Sequence, residues 1–445
     1  MSDLVSDTDV LCMIPPNLNY PPYIITNTTT NNNCYKRAPR QIYEWNDFTN
    51  AVATLTVPTE LCHKRTSFNV GMEDVWTKDH VNLALKRNVF GILNQLKFHN
   101  GEFTAYNAIP GVVGRPDCIF VEDGVLRFVI ENRIRSDLHV PDDVTLITMY
   151  NNGVEKVLNA VCHIFGYMLY NRCRFGVLTT YDQTWFLKRV CSTLYISPTI
   201  THDNRRLTLY QCYAYIISRA NLYPFSTTVG DDILVDSSDR TKLDLGNIYI
   251  SGILGRGRTG TIFHGELHDK KVAVKICDTF KAPDLESAML NEVEIYNIMR
   301  NLQGDCIPKL IAYGYDGFLF VLVTEVAGSP SRKEEMGSHE RRSAVDKLAR
   351  IHTYGIAHRD LHWNNILIQH CSTGVKNIMF IDFERSARVD KERCNMEMSY
   401  LFELLDIPAG IFTHVQIKKK CFFIHTVSFF RNLNCQSRPK ETHTR

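Results

Sequence analysis

Four short motifs decide the fold of this chain, and they read Gly255-Arg256-Gly257-Arg258-Thr259-Gly260, Val272-Ala273-Val274-Lys275, His358-Arg359-Asp360-Leu361-His362-Trp363-Asn364-Asn365 and Ile381-Asp382-Phe383-Glu384. They follow one another in this order between Leu254 and Glu384. Each motif contributes a different chemistry: flexible backbone, a buried cation, a polar loop, and a carboxylate at the end of an apolar strand. Because the four motifs are chemically complementary and lie within one stretch, they predict a single site built from all four.

The first motif is a glycine-rich turn inside an alternating, strand-like segment. Gly255, Gly257 and Gly260 would let the backbone close over phosphate groups without side chains in the way. Glycine turns of this form are common, so this spacing alone is a weak signal.

Lys275 lies on an apolar strand, where an unpaired ammonium group would be costly. It therefore needs an acidic partner. Glu292, on the next predicted helix, is the expected partner, and Glu294 is the alternative. A plain solvated helix position is the other interpretation of Glu292.

The last two motifs carry polar groups suited to phosphoryl transfer. Asp360 could orient or deprotonate an attacking hydroxyl, and Asn365 offers a carbonyl oxygen to a metal. Asp382 follows the apolar strand Ile378-Met379-Phe380-Ile381, where a carboxylate is costly unless it meets a cation. Mg²⁺ on nucleotide phosphates would be that cation.

Residues 248–405 resemble the protein-kinase-like superfamily, and the resemblance implies a two-lobed fold that binds ATP and Mg²⁺ in a cleft. For the phosphates it implies a loop at Gly255, Gly257 and Gly260 and a binding lysine, Lys275, paired with Glu292. For the reaction it implies a catalytic Asp360 and the metal ligands Asn365 and Asp382. For the nucleotide it implies apolar contacts to adenine from Ile262, Ala273 and Leu367, and a contact near Glu325, where a buried strand meets the Ala327-Gly328 turn.

Three departures separate this chain from an ordinary protein kinase. His362 replaces the usual lysine two residues after the catalytic aspartate, and Glu384 replaces the usual glycine after Asp382-Phe383. Only about one helix, over 390–405, follows that motif before a basic, Phe-rich tail. We therefore predict a kinase-like domain over 246–408 with a reduced C-terminal lobe, then a poorly ordered tail over 409–445. A nucleic-acid or membrane patch is the alternative for the tail.

The chain before this domain predicts a mixed-sheet α/β domain over 41–223. Helical periodicity covers 78–97, 154–172 and 206–220. Asp123-Gly124 marks a hairpin between two strands, and two further strands cover 176–180 and 184–188. A Pro-, Asn- and Thr-rich arm over 1–40 is expected to be disordered, and 224–245 reads as a linker.

The N-terminal domain resembles the PD-(D/E)xK nuclease core. The resemblance rests on Gly114-Arg115-Pro116-Asp117 and on Ile130-Glu131-Asn132-Arg133. Asp117 and Glu131 would hold Mg²⁺, but Arg133 stands at the position of the usual lysine and cannot deprotonate. His163 is either a phosphate contact or, as we prefer, a satisfied, half-buried histidine. The order of the two domains over roughly 75–405 resembles fungal crinkler-like proteins, which implies an effector or conflict role.

Composition sets limits on the function classes. The 445 residues are 44% hydrophobic and 22% charged, and the net charge of +2 gives no argument for a nucleic-acid or membrane surface. Fourteen scattered cysteines without CxxC spacing argue against a zinc site and suit an intracellular compartment, cytoplasm or nucleus. We expect no membrane span and no secretory signal peptide.

The sequence thus predicts a multidomain α/β + α+β protein: a PD-(D/E)xK-like domain followed by a two-lobed kinase-like domain. The first hypothesis is an ATP- and Mg²⁺-dependent Ser/Thr kinase that phosphorylates a protein. The second is an ATP-binding pseudokinase that switches the N-terminal domain. The third is a metal-dependent nuclease, or a retained nucleic-acid-binding fold.

Overall fold

The computed structural model describes residues 4–20, 38–57, 61–64, 74–222, 243, 245–370 and 376–407. The chain divides into two compact units, Met1–Met289 with Ile311–Thr324, and Leu290–Leu310 with Glu325–Arg445. The predicted tail over 409–445 and nearly all of the predicted linker lie outside the described residues, so both stay predictions.

The N-terminal part of the first unit is an α/β domain. Its described strands are β1 (Leu4–Ser6), β2 (Gln41–Glu44), β3 (Leu61–Lys64), β4 (Glu102–Thr104), β5 (Cys118–Glu122), β6 (Val125–Asn132), β7 (Phe175–Thr179), β8 (Gln183–Val190), β9 (Thr193–Ile196) and β10 (Ile200–Thr201). Its described helices are α1 (Asp7–Leu11), α2 (Phe48–Ala53), α3 (Lys78–Leu85), α4 (Gly91–Leu93), α5 (Leu146–Asn151), α6 (Glu155–Tyr170) and α7 (Leu209–Leu222). A π-helical turn, Lys86–Phe90, joins α3 to α4 within the predicted helix over 78–97.

The main sheet of this domain has the strand order β2-β9-β8-β7-β6-β5-β4, and β10 pairs with β8. The β6–β7 and β2–β9 pairs are parallel, and the other pairs described for this sheet are antiparallel. The predicted hairpin joins β5 to β6 through Asp123 and Gly124, with φ of 53° and 72°. Two consecutive positive φ values suit the Asp-Gly pair. The mixed sheet expected from the sequence is therefore observed.

Alternation along the central strands gives the sheet two apolar faces. In β5, Phe120 packs in one core with α7, whereas Ile119 and Val121 pack in a second core with α6. Helices thus cover both faces, which explains why these strands read as nearly continuous apolar runs.

The expectation of a disordered arm over 1–40 is wrong for residues 4–20. Ser6 and Asp9 form a reciprocal cap at the start of α1, with Asp9 N donating to Ser6 Oγ (3.2 Å) and Ser6 N donating to Asp9 Oδ2 (3.1 Å). Val10 and Leu11 are then buried in the core with α7. The arm's average composition hid this short apolar segment. Its Asn- and Thr-rich part, 21–37, lies outside the described residues.

A second sheet follows in the first unit. Its strands are β11 (Tyr249–Arg256), β12 (Thr261–Leu267), β13 (Lys270–Asp278), β14 (Leu310–Asp316) and β15 (Leu319–Glu325). Helix α8 (Glu286–Ile298) follows β13, and its residues from Leu290 onward belong to the second unit. The strand order is β11-β12-β13-β15-β14. Phe263, Val274 and Leu319 from this sheet join the same apolar core as α6. The predicted boundary near 224–245 therefore separates two segments of the chain but not two cores.

The second unit is mainly helical. Its described elements include β16 (Ser329–Pro330), α9 (Ser338–His352), β17 (Ile356–Ala357), β18 (Ile366–His370), β19 (Lys376–Phe380), β20 (Ala387–Arg388) and α10 (Lys391–Leu404). Strands pair in the order β16-β18-β19, and β17 pairs with β20. Helix α10 matches the helix expected over 390–405. Among the helices of the described ranges, none has the length and apolar character needed to cross a lipid bilayer.

Candidate functional site

The candidate residues divide between the two units. The first unit holds Gly255, Gly257, Gly260, Ile262, Ala273 and Lys275, and the second holds Glu292, Glu325, Asp360, Asn365, Leu367 and Asp382.

The glycine turn joins β11 to β12. Gly257 N donates to Gly260 O (2.9 Å), which closes the turn. A Cβ atom on Gly260 would lie 2.1 Å from Ile276 O, so only glycine fits beside β13. Open space surrounds the position that a Cβ atom would take on Gly255. Gly260 is therefore required by strand packing, whereas Gly255 leaves room above the turn.

Lys275 is buried near the end of β13, opposite Ile262 of β12. Glu292 is also buried, on α8, and its Oε1 accepts a hydrogen bond from Phe383 N (3.3 Å). The predicted Lys275–Glu292 ion pair would join residues of different units and stays a prediction.

The polar loop that starts at His358 is tied to the strand end that carries Asp382. His358 Nε2 donates to Ile381 O (2.8 Å), and Ser386 Oγ donates to His358 O (3.0 Å). Burial lowers the pKa of His358, so the ring is neutral. Asp382 itself has a left-handed backbone, with φ of 68°. Residues that lie apart in the sequence are thereby held in one local network.

Glu397 is a site residue that the sequence analysis missed. From α10, its carboxylate accepts hydrogen bonds from His358 N (2.9 Å), Arg359 N (2.6 Å) and His352 Nε2 (2.8 Å). Burial raises the pKa of Glu397, but these hydrogen bonds outweigh it and hold the pKa below its usual value. The signal available was an acid between Met396 and Met398 on a helix with an apolar face.

Asn365 and Asp360 are in contact in the structure. Asn365 Nδ2 donates to Asp360 O (2.9 Å) and also lies 3.1 Å from His362 Nε2. The amide nitrogen makes these contacts, so its oxygen is the atom suited to a metal. Around the Asp360 carboxylate, Arg385 Nη1 lies 3.5 Å from Oδ1 and His362 Nε2 lies 3.9 Å from Oδ2.

The segment after Asp382 is fixed by α8. Asn291 Nδ2 donates to Glu384 O (3.2 Å) and Ser386 O (3.0 Å). Glu384, which replaces the usual glycine, is buried in the structure. A short, hydrogen-bonded segment therefore runs from Asp382 to α10.

A cavity of about 390 Å³ in the second unit opens beside Asp360. It is lined by Ala357, Arg359, Asp360, Leu361, Val389, Arg393, Glu397 and Tyr400. Asp360 thus borders a space large enough for a side chain.

The predicted adenine contacts Ile262, Ala273 and Leu367 are divided between the two units. Leu367 packs with Ala327, Met379 and Ile381 in a small apolar cluster. Ile262 and Ala273 belong to the first unit, so their place beside Leu367 stays a prediction. The Glu325 side chain accepts a hydrogen bond from Lys309 N (3.1 Å), which gives it a structural use.

The residues at the strand end fit Mg²⁺ shared with a nucleotide. Asp382 and Asn365 offer carboxylate and amide oxygens, which are the ligands that Mg²⁺ prefers. Within the described ranges, no group of three or more His, Cys, Asp or Glu residues could hold a metal ion. Nucleotide-bound Mg²⁺ needs fewer protein ligands, because the phosphates supply oxygens.

A second charged cluster lies in the N-terminal domain. Asp117 and Glu131 lie in one cluster: Asn132 N, adjacent to Glu131, donates to Asp117 Oδ2 (2.9 Å). However, Lys281 Nζ lies 2.6 Å from Asp117 Oδ1 and 2.8 Å from Glu131 Oε1. Lys78 Nζ lies 2.8 Å from Asp117 Oδ2 and 3.2 Å from Glu131 Oε1, and Arg133 also contacts Glu131.

Three cations already surround the two carboxylates, so this cluster does not fit a divalent metal ion. A metal ion bound there would repel the three cations, and the cluster offers it no further ligands. Burial would raise the pKa of Glu131, but Lys281, Lys78 and Arg133 hold it well below its usual value. Burial lowers the pKa of His163 to about 3, so its neutral Nδ1 can accept from Arg133 Nη2 (2.9 Å). His163 is fully buried, not half-buried as predicted from the sequence.

Comparison with known proteins agrees with the sequence motifs. Residues 249–402 match the family described as protein kinase domain. The serine/threonine-protein kinase UCN of Arabidopsis thaliana is 29% identical over 177 residues, covering 35% of this chain and 42% of that protein. The probable serine/threonine-protein kinase fnkE of Dictyostelium discoideum is 26% identical over 180 residues, covering 36% of this chain and 13% of that protein.

A third relative is the probable serine/threonine-protein kinase 2 of Plasmodium falciparum, 25% identical over 163 residues, covering 34% of this chain and 31% of that protein. The chain thus spans less than half the length of each of these relatives. The expectation of a protein-kinase-like domain is confirmed, and the named relatives support a Ser/Thr protein kinase.

Proposed function

We propose that this chain is an ATP- and Mg²⁺-dependent Ser/Thr protein kinase whose kinase domain spans residues 246–408. The observation that carries the proposal is the hydrogen-bonded network in the second unit. It joins the loop of Asp360 and Asn365, through His358 and Ile381, to Asp382. These hydrogen bonds hold the loop that carries Asp360 and Asn365 beside the strand end that carries Asp382, as the proposed reaction requires.

Each residue has a defined task in the proposed reaction. Bound Mg²⁺-ATP supplies the transferable phosphoryl group and the charge neutralisation. Lys275 and the Gly255–Gly260 turn hold the phosphates, with Glu292 as the partner of Lys275. Asn365 Oδ1 and Asp382 hold the metal. Asp360 would orient the acceptor hydroxyl and accept its proton as the hydroxyl oxygen bonds to the γ-phosphorus and the bond from that phosphorus to the bridging oxygen breaks, so that ADP leaves.

The acceptor we propose is a serine or threonine hydroxyl of a protein. The cavity of about 390 Å³ beside Asp360 supports this because it borders the group that must meet the hydroxyl. Arg359 and Arg393 in its lining would suit a peptide with an acidic residue near the acceptor.

The decisive experiment measures phosphate transfer from γ-labelled ATP by the full chain to itself and to a generic protein acceptor. Asp360→Asn should lower the rate by about 10²-fold or more, the usual worth of a positioned base, while Mg²⁺-ATP still raises the melting temperature. Asp346→Asn, an exposed position on α9, is the matched control and should behave like wild type. Undiminished transfer by Asp360→Asn would refute the proposal.

An ATP-binding pseudokinase that switches the N-terminal domain is the second candidate. The contact of Arg385 with Asp360 (3.5 Å) supports it, because a cation there competes for the proposed base. Stabilisation by Mg²⁺-ATP without any transfer would favour this candidate. We propose no nuclease activity, because the cations around Asp117 and Glu131 leave no fit for a metal. The PD-(D/E)xK and crinkler-like resemblances, and nucleic acid as a partner, stay predictions.

A further inference from the structure

The connection between β13 and α8 enters the N-terminal α/β domain. It runs from Thr279 to Leu285, immediately after the strand that carries Lys275 and before the helix that carries Glu292. All of these connecting residues belong to the first unit, together with the domain that they contact.

Lys281 is the centre of this contact. Its Nζ lies between the two carboxylates, 2.6 Å from Asp117 and 2.8 Å from Glu131. Its side chain is 14% exposed and that of Glu131 is fully buried. Burial would lower the pKa of Lys281, but Asp117 and Glu131 raise it above its usual value, so the ammonium stays charged.

Residues next to Lys281 also contact the N-terminal domain. The Phe280 ring lies 4.0 Å from the His163 ring and 5.3 Å from the Arg133 guanidinium. Asp278 Oδ2 accepts from Tyr167 Oη (2.6 Å) and Arg115 N (3.0 Å). Side chains at three of four successive positions, Asp278 at the end of β13 and Phe280 and Lys281 in the connection, therefore contact the N-terminal domain.

We infer that Asp117 and Glu131 serve as an intramolecular receptor for Lys281 and that Lys281 is a positioning residue for the β13–α8 connection. The carboxylate pair that resembles nuclease metal ligands binds a lysine of the kinase segment in place of a metal. Lys78 and Arg133 also contact Glu131, but of these three cations Lys281 is the one that belongs to the β13–α8 connection, so its ion pairs are the ones that hold the connection in place. The N-terminal domain thereby fixes the segment between the Lys275 strand and the Glu292 helix.

The proposed kinase activity is affected by this contact only because the positioned segment lies between two proposed ATP-site residues, Lys275 and Glu292. The ion-pair lock itself can be tested without phosphate transfer. Failure of kinase activity would therefore leave the inference standing, and failure of the lock would leave the kinase proposal standing.

The test is amide hydrogen exchange of the full chain, followed on peptides covering residues 279–289. The amides of Lys281, Ala282 and Leu285 are hydrogen-bonded there, so exchange reports opening of the connection. Lys281→Met, which keeps length and removes charge, should accelerate exchange at least about tenfold, because the ion pairs that join the connection to Asp117 and Glu131 are lost. Asp117→Asn should act in the same direction. The double variant should exchange no faster than Lys281→Met alone.

Three controls make the result specific. Lys271→Met, at an exposed position of β13, should leave exchange unchanged, and Lys281→Arg should restore most of the protection. Peptides from α9 report global unfolding and should exchange as in wild type. If the kinase is active, Lys281→Met should raise KM for ATP more than it lowers kcat.

Two outcomes would overturn the inference. One is unchanged exchange over residues 279–289 in Lys281→Met. The other is binding of Mn²⁺ to the nucleotide-free wild-type protein, detected by electron paramagnetic resonance, that disappears in Asp117→Asn.

Discussion

Glu397 shows how much one buried carboxylate can organise. It accepts two backbone hydrogen bonds from the loop that leads to Asp360 and one from His352. Hydrogen bonds to a charged acceptor contribute about 1.5–3 kcal/mol each. Because the partners come from α9 and the loop, Glu397 ties three parts of the second unit together.

Glu397→Gln should lower the free energy of unfolding at pH 7 by about 2–3 kcal/mol. The hydrogen bonds hold the folded pKa of Glu397 below its ordinary value of 4.5. The stabilisation of the folded state by ionised Glu397 is therefore complete at pH values above this ordinary pKa. It is lost as the pH falls below this value and through the folded pKa. Urea unfolding between pH 3 and pH 7 should show a shallower acid slope in the variant. Glu403→Gln, exposed on the same helix, is the control, and an unchanged slope in Glu397→Gln would contradict this role.

At the scale of elements, the turn between β11 and β12 separates two uses of glycine. A Cβ atom on Gly260 would lie 2.1 Å from Ile276 O, a backbone atom that cannot move aside alone. A Cβ atom on Gly255 would lie in open space. The sequence pattern predicted both glycines as a phosphate loop, but the packing that requires Gly260 could not be read from it.

Gly260→Ala should therefore lower the melting temperature and weaken Mg²⁺-ATP binding, because β12 must move away from β13. Overpacking of this kind costs about 1–3 kcal/mol. Gly255→Ala should leave the melting temperature of the nucleotide-free protein close to wild type. Differential scanning fluorimetry with and without Mg²⁺-ATP measures both effects, and equal melting temperatures for the two variants would contradict the steric argument.

Local sequence signals predicted the positions of helices and hairpins better than they predicted which strands pair and which side chains meet. The helices expected over 154–172, 206–220 and 390–405 correspond to α6, α7 and α10, and Asp123-Gly124 predicted the β5–β6 hairpin. The β2–β9 pairing was missed because it joins strands far apart in the sequence. Lys281 was missed for a similar reason: a lysine after a strand reads as solvent-exposed, and only the fold brings it to Asp117. The four motifs predicted the kinase-like domain because their chemistry is local.

At the scale of the whole molecule, the described part of the first unit has two apolar cores, and the one that contains α6 is shared by two segments of the chain. Phe318, which precedes β15, contacts the rings of His163 and Tyr167 at 4.4 Å and 5.1 Å. A Cβ atom on Gly166 of α6 would lie 2.7 Å from the Phe318 ring. The absent side chain at Gly166 thus lets the second sheet pack directly on α6. Sequence boundaries cannot reveal such sharing, because a linker looks the same whether or not the flanking segments share a core.

A fragment that begins at residue 246 should therefore fail to fold as a monomer, although it contains every kinase motif. Without α6 and its neighbours, Phe263, Val274 and Phe318 lose their cover, and an exposed apolar face of this size favours association. Size-exclusion chromatography and binding of a hydrophobic dye should show aggregates, whereas the full chain elutes as a folded species. Co-expression of residues 1–245 as a separate chain should recover soluble complex, since the buried apolar area, and not the covalent link, supplies the stabilisation. A monomeric fragment with a cooperative thermal transition would contradict the shared core.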